Sequence, residues 1–147
     1  MKWLTPLFLL FVLLGCNSGE SATTPEEALS LIDEAHENRE IEIYGIHQLN
    51  EDAVLIAFRG AMNDSDSWVA DVRQTDANWA VKEIYQMNGP FEETNDEEIT
   101  FTTDQFALGY VINDAGAKEN ETMITIDATQ DWRILIRDFS TIVVSAK

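Results

Sequence analysis

Cysteine is almost missing from this chain. Its 147 residues hold one, Cys16, so no disulfide forms within the chain, and neither a multi-thiolate zinc site nor an iron–sulfur cluster can be built. The fold has to rest on its apolar core, without the covalent staples common in small secreted domains. Basic residues are scarce too. Nine Lys and Arg face 27 Asp and Glu, for a formal net charge of −18. Such a chain repels nucleic-acid backbones and anionic lipid headgroups, and it attracts divalent cations or cationic peptides. The acids are scattered rather than gathered in one block, which fits a solvated surface adapted to a salty or alkaline exterior.

Histidine occurs only twice, as His36 and His47. No His-x-x-x-His pair or His–Glu helix motif is present, so the sequence offers no catalytic zinc site. His36 is expected near a helix end, where a cation suits the dipole, and His47 is expected as a surface residue of the first strand. There is no Gly-x-Ser-x-Gly elbow and no Gly-rich phosphate loop. A Ser–His–Asp triad assembles in space and is not excluded by spacing, but no Ser is marked by its neighbours. With 27 acids, a pair of carboxylates at glycosidase spacing arises by chance. Asn63-Asp64-Ser65-Asp66 and Asn95-Asp96-Glu97-Glu98 carry oxygen ligands. Neither has the regular acid spacing of a calcium loop, so both are expected to be solvated acidic loops. No cofactor, no metal and no enzymatic activity are expected.

Long apolar runs are also absent, with one short exception at the start. Lys2 gives a brief positive segment. Trp3 to Leu14 are almost all apolar, broken by Thr5 and Pro6, and Gly15 stands directly before Cys16. This is the layout of a secretory signal peptide. It is shorter than the roughly 20 helical residues needed to span a bilayer core. Leu13-Leu14-Gly15-Cys16 resembles the lipobox of bacterial lipoprotein precursors. The resemblance covers about 16 residues and implies cleavage between Gly15 and Cys16, with a diacylglyceryl group on the Cys16 thiol. The competing reading is an ordinary cleaved signal followed by an incidental Cys. Two acyl chains hold a protein stably at a membrane where one does so marginally. Lipidation would leave the mature chain without a free thiol or a cysteine nucleophile. Loss of Lys2 would make it one unit more negative, about −19.

The expected organisation is therefore a signal peptide over residues 1–15, a lipidated flexible tether over 16–24, and one globular domain over 25–147. The tether is small and polar (Asn-Ser-Gly-Glu-Ser-Ala-Thr-Thr over 17–24). Thr24-Pro25-Glu26-Glu27 is a helix start, with Thr24 as N-cap, Pro25 in the first turn and Glu27 closing a capping box. Ala28, Leu29, Leu31, Ile32 and Ala35 form an apolar stripe at helical spacing. The pattern predicts a helix over 25–37 with Asn38 as its stop.

From Ile41 the period becomes strand-like. An extended run reaches about Gln48, and 53–58 is apolar on both faces, as in a buried central strand. Strands are expected at 67–74, 79–87, 99–101, 105–112, 122–127, 132–137 and 141–144, with a hairpin turn at Thr75-Asp76-Ala77-Asn78. Apolar strand, polar loop, strand, turn and Trp-led strand occur twice, led by Trp79 and Trp132, which suggests a repeat of about 50 residues. The fold class expected is α+β: one N-terminal helix packed on a mainly antiparallel β-meander of about eight strands. The meander would form one sheet, a sandwich or a partly closed barrel, with two similar halves.

Trp68, Tyr85, Phe106 and Tyr110 read as core. Trp79 and Trp132, each just after a turn, are candidates for stacking on a ligand. The function expected is that of a membrane-anchored, extracytoplasmic lipoprotein acting as a binding or envelope-accessory module. Its partners would be the membrane through Cys16, together with an envelope protein or a cell-wall polymer, and no nucleic acid. A small envelope hydrolase is the reading from another class. An inhibitor of a cationic secreted enzyme is a third, drawn from the acidity.

Overall fold

Ala53–Arg59 is apolar at every position but its last because both of its faces are covered. Val54, Ile56 and Phe58 point to one side and Leu55 and Ala57 to the other, and all five are at most 2% exposed. In the computed structural model, which describes residues 21–33, 40–60, 65–92, 96–112 and 116–140, this strand is β2 of a four-stranded antiparallel sheet. Its companions are β1 (Glu42–Asn50), β3 (Ser67–Thr75) and β4 (Asn78–Gln86), in the order β1-β2-β3-β4. Helix α1 (Pro25–Asp33) covers one face of this sheet and contacts β3 and β4. Leu29, Val54, Ile56, Phe58, Ala70 and Val72 form the layer between them.

The other face meets a second antiparallel sheet. It contains β5 (Glu97–Thr102), β6 (Phe106–Ile112), β7 (Glu121–Ile124) and β8 (Trp132–Asp138), in the order β5-β6-β8-β7. Leu55 and Val69 of the first sheet pack with Phe106, Leu108, Ile134 and Ile136 of the second. Tyr85 of β4 reaches across to Phe101 at 5.1 Å and to Phe106 at 6.0 Å between ring centroids. The result is three layers, helix, sheet and sheet, and the sheets do not close into a barrel.

The coarse α+β expectation holds, with several corrections. The first sheet is a simple meander, but the second is not, because β8 lies between β6 and β7. Trp79 opens an edge strand and Trp132 an inner one. The two halves match in element order and differ in pairing, so they are not two copies of one meander. β3 is buried on both faces: Val69 and Asp71 are at most 3% exposed, like Ala70 and Val72 on the other side, because the second sheet covers their face. The polar stretch read as tether ends earlier than Thr24. Ala22 is 2% exposed and bridges the edge strand, with the Trp79 N–H donating to the Ala22 carbonyl at 2.9 Å.

Local chemistry fixes the joints. The Glu27 N–H donates to the Thr24 hydroxyl at 3.2 Å, as an N-cap requires. The Glu27 carboxylate reaches one residue past the cap and accepts from the Thr23 N–H at 2.7 Å and its hydroxyl at 2.8 Å. The β3–β4 hairpin turns on Asp76 (φ 50°) and Ala77 (φ 67°), the two left-handed positions that a tight two-residue hairpin demands. At Gly109 a Cβ would lie 2.0 Å from the Glu98 carbonyl oxygen, at the bulge where Thr100 is the extra residue of β5. Residues 1–20, 34–39 and 141–147, where the signal, Cys16, the helix end with His36 and a final strand were expected, lie outside the described residues.

Candidate functional site

β8 carries a feature at each end, and its seven residues place them roughly 20 Å apart. At its start, Trp132 lines a groove of about 540 Å³. It is lined by the irregular stretch Asn88-Gly89-Pro90 that follows β4 and by the turn Thr129-Gln130-Asp131 that leads into β8. The indole is held in place. Tyr110, 2% exposed, meets it edge-on, with centroids 5.1 Å apart and planes at 86°. Gly89, at φ 123°, lies so close that a Cβ there would be 3.3 Å from the indole Nε1. Burial pushes the Tyr110 phenol above its ordinary range; the Gly89 backbone hydrogen bond draws it down and Glu98 pushes it up.

The turn is also fixed. The Thr129 N–H and hydroxyl both donate to Asp127 Oδ1, at 2.9 and 2.7 Å, and the Gln130 N–H donates to the Asp127 carbonyl at 3.1 Å. The two Thr129 bonds lower the Asp127 carboxyl, the backbone one most strongly. On the opposite wall, Asn88 Oδ1 accepts the Ser67 N–H at 2.9 Å. The side-chain oxygen of Gln130 is shielded from solvent and accepts no hydrogen bond.

At the far end of β8, His47 of β1 is clamped between the sheets. Its Nε2 lies 2.9 Å from Asp138 Oδ2, and its Nδ1 lies 2.9 Å from the Thr122 hydroxyl on β7. An ionised carboxylate only accepts, so Nε2 carries the proton and donates to Asp138, while the Thr122 hydroxyl bonds Nδ1. Asp138 also accepts from Ser140 through its N–H, at 2.8 Å, and its hydroxyl. Burial raises the Asp138 carboxyl, but the Ser140 and His47 hydrogen bonds outweigh it and hold it below the ordinary carboxylate range. A second polar tie joins the sheets where buried Asp71 pairs with Arg73, whose other guanidinium nitrogen donates to Gln105.

His47 is therefore not the surface residue the sequence suggested, since its side chain is 17% exposed. The usable signal was parity. His47 stands two residues from buried Leu49 and pairs with fully buried Leu55, so it faces inward. Trp79 and Trp132 are not brought together. Trp79 packs on the helix-side layer and Trp132 against the layer between the sheets. Asn63, Asp64 and Asn95 of the two acidic loops lie outside the described residues, as do Gly15 and Cys16. Among the described residues no three His, Cys, Asp or Glu gather as a metal site, and no helix is long and apolar enough to cross a membrane.

The chain was compared with protein-family models, curated proteins and solved structures, and none of them matches.

Proposed function

We propose that this chain is a bacterial envelope lipoprotein, held at the membrane through lipidated Cys16, whose two-sheet domain is a binding module. The observation that carries the reading is Leu13-Leu14-Gly15-Cys16 at the end of a short apolar run behind Lys2. Diacyl attachment supplies the two chains that stable anchoring needs. The net charge of −18 disfavours nucleic acid and anionic surfaces as partners. A shaped, polar-walled groove with a fixed indole suits ligand binding.

One observation favours a hydrolase instead: Thr122, His47 and Asp138 stand in hydroxyl–imidazole–carboxylate order. Thr122, however, is a β-branched residue inside β7, paired with Ile136, and its contact with His47 joins two sheets. The same bonds serve as an inter-sheet clasp, and the binding reading is preferred.

The test is Cys16→Ser in the native envelope. The wild type should sediment with membranes as a lipidated, processed protein. The variant should be released or remain unprocessed. Unchanged fractionation and maturation would overturn the anchor.

A further inference from the structure

We propose that the open edge of β1 is a strand-docking surface and that its occupant is the segment 141–147 of this same chain, laid antiparallel along β1. The inference goes beyond the binding-module reading and stands or falls without it.

A sheet edge presents unpaired N–H and C=O groups, and folds protect it with charge, shortness or a cover. The two described sheets have four edge strands, and three of them are protected. β4 carries Lys82 and Glu83, and it takes Ala22 at Trp79. β5 carries Glu97 and Glu98, and β7 has only four residues. β1 is different. Among the described residues it pairs with β2 alone. It is nine residues long, and Glu42 is its only Asp, Glu, Lys or Arg. Ile43 and Ile46, 37% and 44% exposed, pair with Phe58 and Ile56 and so stand on the helix-side face. Helix α1 lies over β3 and β4, at the other side of the sheet.

The path of the chain selects the occupant. Ser140 Oγ lies 3.0 Å from the Leu49 carbonyl oxygen, near the end of β1. A segment that leaves Ser140 along β1 runs back toward Glu42, which is the antiparallel sense. Leu49 to Glu42 is seven steps, about 23 Å of strand, and the seven residues 141–147 span the same distance. The segment begins beside its site, so its effective concentration there far exceeds that of a free partner.

The residues match one another as well. Counted from the contact of Ser140 with Leu49, Val143 falls opposite Ile46, Ala146 opposite Ile43 and Lys147 opposite Glu42. Directly opposed side chains share a face, so Val143 and Ala146 cover the two exposed isoleucines, and Lys147 meets Glu42 as an opposite charge. Ile142, Val143 and Val144 are β-branched, which suits a pleated surface. The segment holds no acid. A second copy of this chain, at −18, would instead bring like charge to the same edge.

The experiment is residue-resolved amide hydrogen exchange on the full chain in detergent micelles. Successive N–H groups of a strand point to opposite sides, so Val143→Pro with Val144→Pro removes a ladder donor in either register. The β1 amides that face away from β2 should exchange at least about tenfold faster in this variant than in wild type, while those of β6 and β8 stay unchanged. Lys147→Glu should speed the same β1 amides several-fold, and adding Glu42→Lys should restore them. Lys147→Glu keeps the test decisive if the proline variant does not fold. The inference is overturned if these amides exchange freely in wild type, if either variant protects them as wild type does, or if adding Glu42→Lys restores nothing. It is also overturned if their protection fades on dilution, which would assign the edge to a second copy. Exchange in β1 does not depend on Cys16, so failure here and failure of the anchor are read by separate measurements.

Discussion

His47 Nε2 and Asp138 Oδ2, on different sheets and 91 positions apart in the chain, are held 2.9 Å apart. With Thr122 on the other ring nitrogen, the pair ties β1 to both β7 and β8. Asp138 is 5% exposed, so its charge depends on these bonds rather than on water.

The clasp therefore gives a pH-dependent share of stability. The Asp138 carboxyl sits below its unfolded value, against the push of burial, because Ser140 and His47 hydrogen-bond it. A group lowered in the fold contributes fully above its unfolded pKa of about 3.9 and loses that contribution as pH falls through its lower folded value. Asp138→Asn should cost about 2 kcal/mol at pH 7. The gap from wild type, measured by urea unfolding, should shrink below about pH 4. A gap that stays constant from pH 7 to pH 3 would show that the carboxylate charge is not what holds the clasp.

Ala77 is strained where it stands. At φ 67° beside Asp76 at φ 50°, it occupies a left-handed position that glycine takes without penalty. Ala77→Gly should stabilise the protein by about 1 kcal/mol and raise Tm by a few degrees. An unchanged or lowered Tm would mean that this hairpin is not under the strain its dihedrals imply.

Gly109 is present because the neighbouring backbone leaves no room. Its Cβ would meet the Glu98 carbonyl oxygen at 2.0 Å, so Gly109→Ala has to push β5 away from β6. The expected cost is about 2–3 kcal/mol, with faster amide exchange in β5. Gly116→Ala is the control, since nothing lies within 4 Å of its Cβ, and it should be neutral. Equal stabilities for the two variants would contradict the close approach.

The pattern of the chain made much of the architecture legible. The run of 53–58 announced a strand buried on both faces, and the Thr24–Glu27 cap announced a helix start, because each depends on neighbours within a few residues. The strands at 99–101 and 105–112 were readable from apolar residues at every second position, which did not reveal that β6 is buried at all seven of its residues. Local pattern did not reveal the roles of Asp71 and His47. Both polar residues face inward, and their partners Arg73, Thr122 and Asp138 come from positions that no local window contains.

The amino-acid sequence by itself determined the element types, the acidity, the absence of a disulfide framework and the resemblance of Leu13-Leu14-Gly15-Cys16 to a lipobox, since all of these reside in composition or in short stretches. Only the tertiary structure decided that β8 lies between β6 and β7, that Trp132 rather than Trp79 lines a groove, and that His47 is a tie between sheets. The reason is physical. Strand order and side-chain partnership are set by which apolar faces bury one another, and that outcome belongs to residues far apart in the chain.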